Sequence, residues 1–245
     1  MTQTGYKTEN ITFESKNGVI SMTEYTPDTS ETHPAVIMSH GFNSCQDDLK
    51  EVAEILAQNG IYALCYDFNG GGTRCKSSGK STDMSVLTEQ DDLRSMIAYV
   101  NSRPDIGHIY LYGESQGGFV SAITAPEYND IAGLFLVYPA FVIPHDWLGR
   151  TEEELQGIFD FMGVPITRKY YDGVPRYDVF AKAAEFKNPV KLWHGGADNV
   201  VDPEYSLRLV KNYEKAELTV FSGLGHWFPP EVRSRIAEQI VNSIN

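Results

Sequence analysis

The chain of 245 residues contains few cysteines, and their spacing excludes two common kinds of site. Cys45, Cys65 and Cys75 are odd in number and form no C-x-x-C pair. This pattern argues against a disulfide scaffold and favours reduced thiols, so we expect a cytoplasmic protein. It also lacks the ligand spacing of a zinc site, and we expect no metal. Cys65 lies within an apolar run, which predicts a buried thiol.

Long apolar runs and basic residues are scarce as well. Every apolar run ends well before the about 18 residues that a membrane span needs. The first ten residues lack the basic and apolar parts of a secretion signal, so none is predicted. Lysine and arginine number 20 against 33 acidic residues, which gives a formal net charge of −13. Because nucleic acid and anionic membranes bind basic surfaces, we expect neither as a partner.

Strand patterns alternate with helical patterns along most of the chain. Two β-rich segments, 11–15 and 19–25, meet at Asn17-Gly18, a dipeptide typical of a type I′ hairpin turn. The later predicted strands are 34–39, 61–66, 109–112, 131–137, 190–193 and 218–221. The predicted helices are 47–58, 87–100, 203–213 and 230–244, with another from about Gln116. The alternation predicts an α/β fold with a mostly parallel, doubly wound sheet behind an antiparallel hairpin, in one domain over residues 1–245.

The alternation is interrupted between residues 139 and 187, where no strand of the main sheet is predicted. This inserted segment is rich in aromatic residues, and insertions of such length in a compact domain are usually functional. We therefore predict that this segment forms a cap over a functional site. A cap also needs a core, which we expect to take up about half of these aromatic residues. No glycine hinge is evident at its entry, where Pro139 stands.

The most informative motif is Gly113-Glu114-Ser115-Gln116-Gly117, which follows the apolar strand 109–112 and precedes a helical pattern. G-x-S-x-G between a strand and a helix is the nucleophile elbow, a tight turn that presents the serine at the edge of the sheet. The motif therefore predicts Ser115 as a nucleophile. A serine hydroxyl is weak until a base accepts its proton, so a histidine must lie within hydrogen-bonding reach.

His226 is the predicted base among six histidines. It lies in a glycine-rich loop after the last predicted strand, which is where the base belongs in the chain order serine, acid, histidine. His33 precedes Pro34 in a polar turn and is expected to be solvated. The remaining histidines begin a strand, shape loops at strand ends or lie in the inserted segment: His40, His108, His145 and His194.

The acid should follow the predicted strand 190–193, where two aspartates are available. Asp202 stands directly before Pro203, the arrangement typical of a helix N-cap followed by proline at the first helical position. A capping role accounts for Asp202 without catalysis. We therefore predict Asp198 as the acid that fixes the tautomer of the imidazole and stabilises the imidazolium.

Two backbone N–H groups should bind the negative charge that develops on the carbonyl oxygen. One is expected from Gln116, which follows the nucleophile at a helix N-terminus. The other is expected from Phe42, in the loop after strand 34–39. Since both donors belong to the main chain, deleting the Gln116 side chain should matter less than deleting that of Ser115.

These features resemble the α/β-hydrolases and, among them, the bacterial cinnamoyl (feruloyl) esterases. The likeness rests on His40-Gly41-Phe42, on Tyr66-Asp67-Phe68-Asn69-Gly70, on Asp83-Met84-Ser85-Val86-Leu87, on the elbow and on the aromatic insert. The resemblance implies a single-domain esterase without a cofactor, whose insert forms a pocket for hydroxycinnamoyl groups. Two departures stand out. Gly71-Gly72 and further residues through Lys80 replace the usual His-Gly, and Glu114 stands where histidine is common.

The first hypothesis is a serine carboxylesterase acting on a small-molecule ester with an aryl or medium apolar acyl group. A peptidase or amidase, a thioesterase and an acyltransferase need the same machinery and stay open. A binding module of the same fold without activity is the alternative of another class. Such a module has no need to keep nucleophile, base and acid together. The sequence predicts no particular oligomeric state.

Overall fold

A computed structural model of the protein describes residues 4–29 and 31–245. In this part of the chain the strands are β1 (Tyr6–Ser15), β2 (Gly18–Pro27), β3 (His33–Ser39), β4 (Tyr62–Tyr66), β5 (Ile106–Glu114), β6 (Ile131–Val137), β7 (Ile158–Phe161), β8 (Val164–Thr167), β9 (Val190–Gly195) and β10 (Ala216–Phe221). The α-helices there are α1 (Lys50–Gln58), α2 (Val86–Asn101), α3 (Gln116–Thr124), α4 (Ile143–Leu148), α5 (Arg168–Asp172), α6 (Val179–Ala183), α7 (Glu204–Asn212) and α8 (Pro230–Ile244).

The main sheet of the described residues has the strand order β1-β2-β4-β3-β5-β6-β9-β10. Strand β2 pairs antiparallel with both β1 and β4, and all later neighbours pair in parallel. Successive residues of β3 pack into different clusters, Ala35 and Ile37 on one face and Val36 and Met38 on the other. Both faces are therefore covered, as a parallel sheet requires. The predicted α/β fold is confirmed.

The N-terminal hairpin forms as expected, but the predicted turn type is wrong. Its central residues are Lys16 and Asn17, and positive φ occurs only next to them, at Gly18 (φ 135°). A type I′ turn would need positive φ at both central residues. Instead, the Asn17 side chain donates hydrogen bonds to the Thr88 carbonyl (2.8 Å) and to Asp92 (3.0 Å). The turn is thus held by α2 and does not depend on its own backbone preference.

Three helix starts differ from the predicted ones, that of α2 by one residue, at Val86. The helix expected from residue 47 begins as a 3₁₀ turn over Gln46–Leu49 and becomes α-helical at Lys50. Helix α7 begins at Glu204, one residue later than predicted, with Pro203 as its N-cap. Asp202 still accepts a hydrogen bond from the Glu204 N–H (2.9 Å), so it stabilises the helix start from one position further out.

The inserted segment, residues 139–187, contains α4, a β7–β8 hairpin, α5 and α6. The hairpin is a separate antiparallel pair that contributes no strand to the main sheet among the described residues. Trp147 and Tyr170 are buried in the same cluster as the residues of α2 and α3. The segment therefore packs against the side of the sheet that carries the elbow helix. No helix in the described ranges has the length and apolar character that crossing a membrane requires.

Candidate active site

The carboxyl ends of the parallel strands bring distant parts of the chain to one edge of the sheet. Strand β5 ends at Glu114, directly before Ser115, and β9 ends at Gly195, three residues before Asp198. His226 follows β10 by five residues. Because parallel strands end at the same edge, the loops after them converge there. This edge is the candidate active site.

The backbone at Ser115 is strained, with φ 50° and ψ −115°. Such a conformation is rare for a residue with a side chain and persists only where the surroundings impose it. Its carbonyl accepts hydrogen bonds from the N–H groups of Phe119 (3.0 Å) and Ala140 (2.9 Å), and its own N–H donates to Val137 (2.9 Å). These bonds keep the serine on the tight turn that projects its hydroxyl from the sheet.

Ser115, His226 and Asp198 form a continuous chain of hydrogen bonds. His226 Nε2 lies 2.9 Å from Ser115 Oγ, and His226 Nδ1 lies 2.7 Å from Asp198 Oδ2. A carboxylate can only accept, so Nδ1 carries the proton and Nε2 is free to accept the serine proton. This is the protonation pattern that a histidine base requires.

The surroundings of Asp198 keep its carboxylate ionised and oriented. Burial by itself raises the pKa of Asp198, but hydrogen bonds from His194, His226 and Val201 lower it well below its usual value. Oδ1 accepts from the N–H groups of Val200 and Val201, both at 2.9 Å. His194 Nε2 lies 3.2 Å from Oδ2 on the other side. The acid therefore has a fixed orientation towards the imidazole of His226.

A buried ionic network lies beneath the imidazole of His226. The ring of Tyr138 packs against it at a centroid distance of 4.4 Å. Tyr138 donates a hydrogen bond to Glu114 (3.2 Å), which also pairs with Arg233 at 2.8 Å. Tyr112 donates to the same carboxylate at 2.5 Å. The unusual Glu114 of the elbow is thus fully paired and anchors the aromatic ring that supports His226.

Phe42 and Gln116 both have free backbone N–H groups close to Ser115. In the described residues neither N–H donates to a protein acceptor. The loop that carries Phe42 approaches the serine so closely that a Cβ on Gly41 would lie 3.2 Å from Ser115 Cβ. Unpaired N–H groups at this position, beside the predicted nucleophile, have the arrangement that an oxyanion hole requires.

Ser115 and His226 line a cavity of about 580 Å³. Its volume falls within the range of about 300–1,000 Å³ that is usual for small-molecule sites. One wall comes from the inserted segment and is largely apolar. The residues of that wall are Ala140, Val142, Ile143, Asp146, Trp147, Phe161, Met162 and Tyr170. Asp146 is an exposed residue at the rim of this wall, and its carboxyl has no hydrogen bond or ion pair within the described residues. Partial desolvation raises its pKa, although the charges of His145 and Arg150 lower it.

The side chains of His40 and His145 make contacts away from Ser115. His40 accepts from the Phe68 N–H at Nε2 (3.1 Å), and its Nδ1 faces the Gly41 carbonyl (2.8 Å). The expectation that His33 is solvated is wrong, because it begins β3 and is only 4% exposed. His145 lies in α4, where Nδ1 contacts the Tyr205 hydroxyl (3.1 Å).

One group of side chains has a composition that could suit a metal ion, namely His40, Asp67 and Cys75. Both ring nitrogens of His40 already have backbone partners. Asp67 accepts from the backbone N–H groups of Gln46 and Lys76, both at 2.7 Å. The Cys75 thiol faces the Ser44 carbonyl (3.2 Å), and burial raises its pKa above the usual value. These bonds explain the cluster as an anchor for the 70–80 loop.

Sequence reasoning missed three residues around the site, namely Glu89, Tyr170 and Arg233. Arg233 pairs with Glu114 across 119 positions of sequence. The Glu89 carboxylate accepts from the Gln116 amide nitrogen, and each of its oxygens lies 2.8 Å from Nε2. Tyr170 donates to Gln116 Oε1. For Tyr170 the sequence signal was the aromatic insert. Glu89 had no distinct signal, because the buried side of its helix also carries Gln90 and Asp92.

We expect Glu89→Gln to stabilise the protein more at pH 8 than at pH 5. Burial raises the pKa of Glu89 well above its usual value, although the Gln116 hydrogen bond lowers it and Asp92 raises it further. A carboxyl whose pKa is raised in the folded state does not lower the free energy of unfolding below its unfolded-state pKa of about 4.3. As the pH rises from there towards the folded-state pKa, it destabilises the protein increasingly. Glutamine stays neutral throughout and keeps one acceptor for Gln116.

Thermal unfolding at both pH values measures this difference. Each kcal/mol changes the melting temperature by about 2–4 °C in a domain of this size. Glu238→Gln is the control, since Glu238 is exposed and has no ion pair among the described residues. A melting-temperature difference between Glu89→Gln and wild type that stays constant from pH 5 to pH 8 would contradict the argument.

Comparison with known proteins identifies the family. A family profile described as "Serine aminopeptidase, S33" matches residues 30–169. Monoacylglycerol lipase ABHD6 of Mus musculus is 29% identical over 85% of this chain and 75% of its own length. The human protein of that name is 26% identical over 67% of this chain, which spans about half (48%) of that relative. The "Uncharacterized peptidase YtmA" of Bacillus subtilis is 24% identical over 68% of this chain and 67% of its own length.

Solved structures agree on the fold. Est1E from Butyrivibrio proteoclasticus with bound ferulic acid superimposes with a TM-score of 0.87 at 24% identity, covering 96% of this chain and 99% of Est1E. DcsB in complex with its substrate analogue gives 0.78 at 18% identity, covering 98% of this chain and 100% of DcsB. Together with a profile match over more than half of the residues, these findings establish that the chain belongs to the serine aminopeptidase S33 family of α/β-hydrolases.

Proposed function

We propose that the protein is a serine carboxylesterase that hydrolyses small esters with an aryl or medium apolar acyl group, including hydroxycinnamoyl (feruloyl) esters. The observation that carries the proposal is the hydrogen-bonded chain from Ser115 through His226 to Asp198, which opens into an apolar cavity. The hydrogen bonds orient Nε2 of His226 to accept the proton of Ser115. No cofactor is needed for this chemistry.

The acylation step begins at the serine hydroxyl. His226 Nε2 accepts the proton as Ser115 Oγ bonds to the ester carbonyl carbon, and the carbonyl π electrons move onto oxygen. The resulting oxyanion accepts hydrogen bonds from the N–H groups of Phe42 and Gln116. Asp198 stabilises the imidazolium and stays ionised. When the tetrahedral intermediate collapses, the C–O bond to the alcohol breaks and the alcohol leaves with the proton from His226.

Deacylation repeats these steps with water. His226 accepts a proton from a water molecule as the water oxygen bonds to the acyl carbon. The same two N–H groups bind the second oxyanion. The intermediate then collapses, the bond to Ser115 Oγ breaks and the serine regains its proton from His226. The acid product leaves the free enzyme ready for another ester.

The cavity supports the choice of acyl group. Trp147, Phe161 and Tyr170 form a wall of packed rings, with Trp147 and Tyr170 at a centroid distance of 4.6 Å. Flat aromatic groups bury large apolar areas against such surfaces. Asp146 adds an unpaired carboxyl to the same cavity, which can accept a hydrogen bond from a phenolic hydroxyl. The names of two relatives point in the same direction, since Est1E was solved with ferulic acid and ABHD6 is a lipase. The family description and the name of YtmA point to a peptidase instead.

Covalent labelling with a fluorophosphonate, followed by peptide mass spectrometry, tests the nucleophile. The adduct is expected on Ser115. A panel of methyl ferulate, methyl cinnamate, p-nitrophenyl acetate and aminoacyl-naphthylamides then tests the reaction class. We expect the aryl esters to give the highest kcat/KM. A missing adduct would favour a binding module, and a preference for acetate over every aryl ester would defeat the aryl assignment alone.

A peptidase of the same fold would recognise a substrate amino group through carboxylates. Two carboxylates of the cavity are already neutralised, Asp48 by Arg74 and Glu114 by Arg233. Asp146 is the carboxyl that stays available, and it suits a phenol as well as an amine. Faster turnover of aminoacyl-naphthylamides than of aryl esters would assign the protein to the peptidases.

Asp146→Ala is expected to reduce selectivity for hydroxylated aryl esters. Because Asp146 is exposed and water competes for its carboxyl, we expect the hydrogen bond to contribute about 0.5–1 kcal/mol, so kcat/KM for methyl p-coumarate should fall about two- to fivefold. Methyl cinnamate lacks the hydroxyl and should react with nearly the wild-type constant. Parallel steady-state kinetics with the two esters measure the ratio. Equal losses for both esters would show that Asp146 only shapes the cavity.

A further inference from the structure

The side chain of Gln116 is hydrogen-bonded to residues outside the elbow. It is 2% exposed, and every polar atom of its amide is used. Nε2 donates to Glu89, with both carboxylate oxygens at 2.8 Å, and Oε1 accepts from the Tyr170 hydroxyl. An amide held at both ends by buried partners cannot change rotamer without leaving polar groups unpaired, which is costly. The first residue of α3 is therefore tied to α2 on one side and to α5 on the other.

Tyr170 contacts both residues that carry the free N–H groups. Its hydroxyl bonds to the side chain of Gln116, and its ring packs edge-on against the ring of Phe42 at a centroid distance of 6.1 Å. The same ring lines the cavity. One side chain of the inserted segment thus spans the two backbone loops that meet at Ser115. Its position affects the distance between those loops.

Glu89 supplies the opposite anchor. It lies in the first turn of α2, is 1% exposed, and has Gln116 as its hydrogen-bonding partner among the described residues. A buried carboxyl with a single partner destabilises the fold relative to an apolar residue. Since the hydrogen bond of this destabilising carboxyl is directed at the elbow, Glu89 points to a role at the site.

We propose that Glu89, Tyr170 and the side chain of Gln116 are positioning residues that set the two oxyanion-binding N–H groups against Ser115. This inference rests on the proposed esterase mechanism. The peptide between Ser115 and Gln116 is already oriented by the bonds to the Ser115 carbonyl. What the network adds is the position of the α3 N-terminus relative to the Phe42 loop, and thus the separation of the two donors. Oxyanion binding depends on donors at about 2.7–3.1 Å, so small displacements weaken it.

Tyr170→Phe is the central variant, because it keeps the ring in the cavity wall and removes only the hydroxyl. Losing one oxyanion donor outright lowers kcat about 10²–10³-fold, and we expect a displaced donor to cost about tenfold. KM for methyl ferulate should stay within about twofold, since the wall is unchanged and only transition-state binding is lost. The rate of phosphonylation of Ser115 by a fluorophosphonate should fall by the same factor as kcat, because its transition state uses the same donors.

Two comparisons separate positioning from a general structural effect. Tyr171→Phe removes a hydroxyl from the next residue of α5, which lies outside the cavity lining and makes no hydrogen bond through its hydroxyl in the described residues; it should leave kcat unchanged. Glu89→Gln keeps an acceptor for Gln116 and should retain activity, whereas Glu89→Leu should lose about as much kcat as Tyr170→Phe. In the double variant Tyr170→Phe/Glu89→Leu, kcat should fall by less than the product of the two single-variant factors, since both residues act through Gln116.

The outcomes distinguish this inference from the function it rests on. A wild-type protein that neither turns over esters nor forms an adduct on Ser115 would overturn both. An active wild type with unchanged kcat and phosphonylation rate in Tyr170→Phe would overturn the positioning role and leave the esterase intact. A rise in KM at constant kcat would also overturn it, because the hydroxyl would then serve binding of the ester. A loss confined to kcat and phosphonylation, reproduced by Glu89→Leu and absent from Glu89→Gln, would support it.

Discussion

Ser115→Ala is expected to lower kcat for methyl ferulate by about 10⁴–10⁶-fold while leaving the fold intact. In the proposed mechanism the hydroxyl oxygen of Ser115 bonds to the acyl carbon, so alanine removes the reacting atom. Its loss removes one hydrogen bond, to His226, from a residue whose strained backbone is held by main-chain bonds. Steady-state kinetics measure the loss, and circular dichroism with thermal unfolding checks the fold.

A second substitution shows whether serine and histidine act as one unit. His226→Ala should cost a similar factor, and the double variant Ser115→Ala/His226→Ala should be no worse than either single one. Ser243→Ala, in the exposed last turn of α8, is the matched control and should keep full activity. Turnover near the wild-type level in Ser115→Ala would remove this serine from the mechanism.

Much of the fold was predictable because it depends on local patterns. Buried strands such as β4 and β6 read as short apolar runs, and glycines or prolines mark their ends. The alternation of these runs with helical patterns predicted the parallel sheet, and the sheet in turn brings loops after β5, β9 and β10 to one edge. Predicted positions of Ser115, Asp198 and His226 follow from this topology, and the structure brings their side chains within hydrogen-bonding distance. Their catalytic roles stay predictions.

The support around these side chains was not predictable, because it consists of contacts without a sequence pattern. Glu114 and Arg233 are 119 positions apart, and the sequence around each of them does not predict that they pair. The hairpin turn shows the same limit at short range. Asn17-Gly18 favours type I′ by itself, yet bonds from Asn17 to α2 select another turn. Tertiary partners override a local preference of this size.

Gly117→Ala is expected to reduce kcat/KM about 10²-fold or more and to lower the melting temperature. A Cβ at this position would lie 2.4 Å from the carbonyl oxygens of both Ser39 and His40, which are main-chain atoms at the end of β3. No flexible side chain can yield, so either the elbow or the loop that carries Phe42 must move. A displacement of about 1 Å between reacting groups can cost 10²-fold in rate.

The steric origin of this effect has a clean control in Gly149→Ala. Gly149 has a φ of −90° and no heavy atom within 4 Å of an added Cβ, so alanine there should change neither activity nor stability appreciably. Thermal unfolding and kinetics on both variants separate the close approach at the elbow from the general effect of glycine replacement. If Gly117→Ala retained wild-type kcat/KM, the elbow would tolerate a shift relative to the Phe42 loop. The two loops would then not need the fixed separation on which oxyanion binding by Phe42 and Gln116 depends.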